Sequence, residues 1–95
     1  MRTYETMYIV RPQFGENDLK EIAGRVEKAV KTHKGKILAT RPMGRLGISY
    51  LMKKEKEGTY FLVQYEAEGT VVGELENSLR LDERVLRFMT TKGAH

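Results

Sequence analysis

Cysteine is absent from this 95-residue chain. That excludes disulfide staples, thiol catalysis and cysteine-ligated metal, and it fits a reducing compartment. No apolar run approaches the roughly 18 residues of a membrane span, and the opening Met1-Arg2-Thr3-Tyr4-Glu5 is no signal peptide. No membrane association is expected. Histidine is scarce: His33 lies at the end of a predicted helix and His95 at the terminus, and neither has metal-ligand spacing around it. No glycine-rich loop follows a strand pattern to cradle a phosphate. Ser49 and Ser78 have no neighbouring His or Asp to activate them. The carboxylates Glu16, Glu21, Glu27, Glu74 and Glu76 read as solvated helix exterior. Excess charge is also small, 17 Lys+Arg against 13 Asp+Glu for a net +4, which permits an anionic partner without demanding one. The reading is therefore of a protein that is not an enzyme, with no cofactor, metal or small-molecule substrate.

Hydrophobic residues at 40% and charged residues at 32% describe a soluble globular chain, and its length makes residues 1–95 one domain with a single modest core. The strongest β signal is Thr59-Tyr60-Phe61-Leu62-Val63-Gln64-Tyr65-Glu66, rich in aromatic and β-branched residues and free of proline. Read with period 2, Phe61, Val63 and Tyr65 share one face, and Tyr60, Leu62, Gln64 and Glu66 the other. Apolar residues on both faces predict a central strand. Thr3 to Val10 is a second strand, with Tyr4, Thr6, Tyr8 and Val10 facing inward because Glu5 marks the other side. Pro12 and Gly15 end it.

Gly15 to Lys34 predicts a helix with Leu19, Ile22, Val26, Ala29 and Val30 as its apolar stripe and Gly35 as its left-handed stop. Ile37 to Met52 reads as an extended segment broken by a bulge at Pro42 and Gly44. A charged turn, 53–58, leads into the central strand. Thr70 is the expected N-cap of a second helix striped by Val72, Leu75 and Leu79. Val85 to Thr91 closes the chain as a strand, with Leu86 and Phe88 sharing one face and Val85, Arg87 and Met89 the other.

The order β-α-β-β-α-β predicts an α+β, ferredoxin-like fold: a four-stranded antiparallel sheet with both helices on one face and the first and third strands central. The opposite face is then open, and alternation places Met7, Ile9, Tyr60, Leu62 and Met89 on it. That is enough apolar surface to predict a protein-docking face. Basic residues gather near the rims of the sheet: Arg2 at its start, Arg41 and Arg45 around the bulge, Lys53, Lys54 and Lys56 in the charged turn, and Arg84, Arg87 and Lys92 on the last strand. These could form a phosphate-contacting stripe. An RNA-recognition motif shares the topology, but Leu62 stands where a second stacking aromatic is wanted, and Met7 and Ile9 offer no ring.

Three blocks carry a family resemblance. Met1-Arg2-Thr3-Tyr4-Glu5, Gly44-Arg45-Leu46-Gly47-Ile48-Ser49-Tyr50-Leu51-Met52-Lys53 and Leu79-Arg80-Leu81-Asp82-Glu83-Arg84-Val85-Leu86-Arg87 together resemble the bacterial small-subunit ribosomal protein six family. Leu46 replaces an arginine common in the family, and Leu51 replaces its usual proline. The resemblance implies a structural constituent of the small ribosomal subunit, cytoplasmic, bound to the central domain of small-subunit ribosomal RNA together with small-subunit ribosomal protein eighteen. It implies RNA contact by Arg2, Tyr4, Arg45, Tyr50, Lys53, Arg87 and Lys92. For Tyr4 and Tyr50, core packing competes with that role. The alternative is a stand-alone single-stranded RNA-binding module of the same topology.

Overall fold

A computed structural model describes residues 2–47 and 57–92, with the backbone alone for 43–47 and 57. The expected order holds: β1 (Arg2–Val10), α1 (Glu16–Thr32), β2 (Lys36–Gly47), β3 (Glu57–Ala67), α2 (Gly69–Arg80) and β4 (Val85–Lys92). The four strands form one antiparallel sheet in the order β2-β3-β1-β4. Both helices pack on one face. Ile22, Val26 and Val30 of α1 and Val71, Leu75 and Leu79 of α2 close over Tyr4, Tyr8, Val10, Val63 and Tyr65 of the central strands. Each such aliphatic side chain removed from water contributes about 1.5–3 kcal/mol. The ring of Tyr8 stacks on Phe61 with centroids 5.2 Å apart. Its phenol, buried and near Glu27, has its pKa pushed up to about 12.

One polar thread crosses this core. The Thr6 hydroxyl, fully buried, lies 2.9 Å from the Tyr65 hydroxyl and 2.8 Å from that of Thr90. β3, β1 and β4 are thereby tied by side chains as well as by their ladders. Burial of three hydroxyls is tolerable because each has a partner.

Three local expectations are corrected, and a fourth is borne out and extended. The first concerns the end of α1, where Lys34, not Gly35, is left-handed, with φ 64°. Lys34 N–H donates to the Lys31 carbonyl at 3.1 Å and Gly35 N–H to the Val30 carbonyl at 2.9 Å, the paired bonds of a Schellman stop with its left-handed position one residue early. Gly35 is needed for space instead: a Cβ there would lie 2.7 Å from Val30 Cγ1 and 3.0 Å from the Glu66 carbonyl oxygen.

The second concerns α2, which begins at Gly69 with Glu68 extended before it, so Thr70 lies inside the helix and Val71 is buried more deeply than Val72. A single residue separates β3 from α2, and the helix starts two residues earlier than a Thr70 cap would allow.

The third is in β4. Its pairing with β1 slips between Ile9 and Val10, and the slip inverts the alternation at the start of the strand. Val85 packs with the helix-side core, while Leu86 joins Ile9 and Tyr60 on the other face. Last, β2 carries the expected irregularity at Pro42/Gly44 and a second one at Ile37/Ala39. The latter leaves Leu38 45% exposed.

Candidate nucleic-acid interface and protein-docking face

The pairing register arranges the helix-free face in rows. Arg41, Leu62, Met7 and Met89 form one row across β2, β3, β1 and β4, and Gly44, Tyr60, Ile9 and Arg87 the next. A third row holds Ala39, Gln64, Glu5 and Thr91, with Gln64 Nε2 donating to Glu5 Oε2 at 2.6 Å. Met7, Ile9, Tyr60, Leu62 and Met89 therefore do share one face.

They are not equally open. Ile9 and Tyr60 are 2% and 4% exposed and form a small second core with Met7 and Leu86 packed against it. The two sit directly opposite in the ladder, where cross-strand neighbours approach to about 4.5–5.5 Å. The expectation that both lie open to a partner is thus corrected. What remains open is Met89, 56% exposed, with Met7 and Leu62 half-buried beside it. A concavity of about 320 Å³ lined by Met7, Ile9, Arg87, Phe88 and Met89 lies on the β1–β4 side.

The basic set does not converge on one patch. Arg2 and Lys92 are exposed near one end of the sheet, where Lys92 pairs with Tyr4. Arg87, exposed, pairs with Ile9, and the Arg45 backbone pairs with Thr59, both toward the other end. Five residue steps along β1, from Tyr4 to Ile9, separate the two groups by about 17 Å. Tyr4 is 8% exposed, with its ring centroid 5.8 Å from that of Tyr65 inside the helix-side core, so its ring is a packing element. Tyr50 and Lys53 lie outside the described residues.

Arg84, grouped with the phosphate-facing cations above, is committed elsewhere. Its Nε and Nη2 donate to the Asp82 carboxylate at 2.9 and 2.8 Å, and Nη1 donates to Asp18 at 3.0 Å. Nη2 also lies 3.1 Å from Glu21, and Arg25 stands 3.6 Å from Asp82. This cluster pins the turn between α2 and β4 to the first half of α1. Spacing could not reveal it, since Asp18 and Arg84 are 66 residues apart.

The Arg84 side chain, above all, holds the Asp82 carboxyl below its ordinary 3.8, with burial opposing. A depressed folded pKa stabilises in full above the ordinary value and is lost as pH falls through the folded one. Stability is therefore expected to decline below about pH 4. Asp82→Asn is expected to remove about 1.5–3 kcal/mol at neutral pH, the worth of charged hydrogen bonds, and to flatten that acid limb. Urea midpoints at pH 7 and pH 3 check both, and an unchanged acid limb would refute the assignment.

Comparison with known proteins follows the same lines. A family model described as Ribosomal protein S6 matches residues 3–92. The chain is 41% identical over 91 residues to the small ribosomal subunit protein bS6 of Acidobacterium capsulatum, covering 96% of this chain and 64% of that protein. It is 38% identical over 89 residues to the bS6 of Thermosynechococcus vestitus, covering 94% and 78%. Among solved structures, the 30S ribosomal protein S6 of Thermotoga maritima superposes with a TM-score of 0.87 at 32% identity, over 97% of this chain and 87% of that one. The C-terminal domain of the MgtC protein of Mycobacterium tuberculosis has a TM-score of 0.66 at 13% identity, over 100% of this chain and 90% of that one. At that identity the likeness is one of fold alone.

Proposed function

The chain belongs to the ribosomal protein S6 family, and from that premise we infer that it is a cytoplasmic, structural constituent of the small ribosomal subunit. It binds the central domain of small-subunit ribosomal RNA and pairs with small-subunit ribosomal protein eighteen, performing no catalysis. The observation that carries this reading is the family match across residues 3–92, nearly the whole chain. The exposed Arg2, Arg87 and Lys92 at the two ends of the sheet suit contact with phosphates rather than bases. Met89, with Met7 and Leu62, suits a protein partner. The alternative of a single-strand-binding module loses ground, because Tyr60 on that face is only 4% exposed and offers no ring surface for a base to stack on.

Binding to a transcript of the ribosomal RNA central domain, titrated with and without the partner protein, tests the reading. Phosphate contact is expected to give log K against log[salt] a slope of about −3 to −5. Arg45→Ala or Arg87→Ala is expected to flatten that slope by about one unit each. An affinity independent of salt, or equal to that for an unstructured oligonucleotide, would count against it.

A further inference from the structure

The second half of α1 and the residues after it carry Lys28, Lys31, Lys34 and Lys36 with His33 among them, and no carboxylate from 28 to 36. All four lysines are exposed, and none is within ion-pair distance of a carboxylate of another described residue. The first half of the helix differs: Lys20 pairs with Glu16, and Arg25 with Glu21 and Asp82. A helix C-terminus carries about half a negative charge, which Lys31 in the last turn answers. Four lysines without an ion pair to another described residue exceed that by far.

Geometry adds to charge. On the outer side of the helix layer, away from the sheet's open face, a groove of about 320 Å³ runs between α1 and α2. Lys28, Thr32 and His33 line one wall, and Asn77 and Ser78 the other, with Glu74 its one carboxylate. Lys28 and Lys31, three residues apart, follow one flank of the helix. Lys34 completes the set from a left-handed conformation that a glycine would occupy without strain. A lysine at that position trades stability for a charge.

We propose that this groove and the lysines at the end of α1 hold a second segment of RNA phosphate backbone, on the side of the domain opposite the protein-docking face. The proposal rests on the ribosomal RNA reading above. Hydroxyl and amide donors from Thr32, Ser78 and Asn77 suit phosphate oxygens, and the lysines supply the countercharge. The RNA would then grip the helix layer while the partner protein covers the sheet.

Lys34→Gly separates this role from a merely structural one, because the two readouts move in opposite senses. Its melting temperature is expected to rise by about 2–8 °C as strain is relieved, while the salt slope for the central-domain transcript flattens by about one unit. Adding Lys28→Gln and Lys31→Gln is expected to weaken binding at least about tenfold at moderate salt. Lys20→Gln, the same loss of charge at the far end of α1, is expected to leave the slope unchanged. The proposal is overturned if Lys34→Gly gains stability with its slope intact, or if Lys20→Gln flattens the slope equally. It is also overturned if the lysine variants weaken only the titration with the partner protein. A wild-type protein without salt-dependent binding would sink the RNA reading itself, whereas wild-type binding that responds to Arg87→Ala but not to Lys34→Gly would sink this proposal alone.

Discussion

Tyr65→Ala is expected to cost about 3–5 kcal/mol of unfolding free energy. A domain of this length has only about 5–14 kcal/mol to lose, so the variant should stand near the limit of folding at physiological temperature. The ring is fully buried and central in β3, and its loss opens a cavity bounded by Tyr4 and by the side chains beneath α1 and α2. It also removes a partner from the buried Thr6 hydroxyl. Tyr65→Phe isolates the polar part. It keeps the ring and removes the hydroxyl that bonds Thr6, which retains Thr90, so a loss of about 0.5–1.5 kcal/mol is expected. Urea unfolding of the two variants gives both numbers. A Tyr65→Ala loss below about 1 kcal/mol would mean that the strand turns its other face to the helices.

The second large effect divides the helix-free face. Met89→Asp should leave folding within about 0.5 kcal/mol of wild type, since the side chain is more than half exposed. In the complex proposed with small-subunit ribosomal protein eighteen it would replace an apolar contact by a desolvated carboxylate. A loss of about 1.5–3 kcal/mol of contact energy corresponds to binding roughly ten- to one-hundredfold weaker. Ile9→Ala, one pleat along in β1 from the Met7 that pairs with Met89, should do the reverse. Buried at 2% exposure, it should cost about 2–5 kcal/mol of stability, and once the protein is folded its effect on partner binding should be small. Thermal unfolding and titration with the partner decide between the two patterns. If Met89→Asp binds normally, the open part of this face serves something else.

Much of this architecture was legible in the chain because side-chain direction follows local geometry. Period 2 in Tyr4, Thr6, Tyr8 and Val10 and helical spacing in Ile22, Val26 and Val30 each record which way a side chain points. Alternation therefore found the inward face of β1, the central place of β3 and the stripe of α1. Pro42 and Gly44 announced their irregularity because one lacks a donor and the other a side chain. Site residues were harder to read. A basic residue looks the same in sequence whether it meets solvent, a phosphate or a carboxylate brought from far along the chain.

That limit explains each departure. Asp18 and Glu21 meet Arg84 only when α1 lies beside the α2–β4 turn, whereas Asp82 reaches it from two residues away within the same turn. The exchange of faces between Val85 and Leu86 comes from how β4 registers on β1, and no pattern within β4 contains its partner's register. Lys34 takes the left-handed position, while Gly35 stands where Val30 and the Glu66 carbonyl of β3 leave no room for a Cβ. Ile9 and Tyr60 are buried in a cluster with Met7 and Leu86 that three strands bring together. Local periodicity settled the elements and their inward faces, since backbone geometry alone aims the side chains. Exposure, ion pairing and register waited on the assembled sheet, because each depends on a neighbour that arrives from elsewhere in the chain.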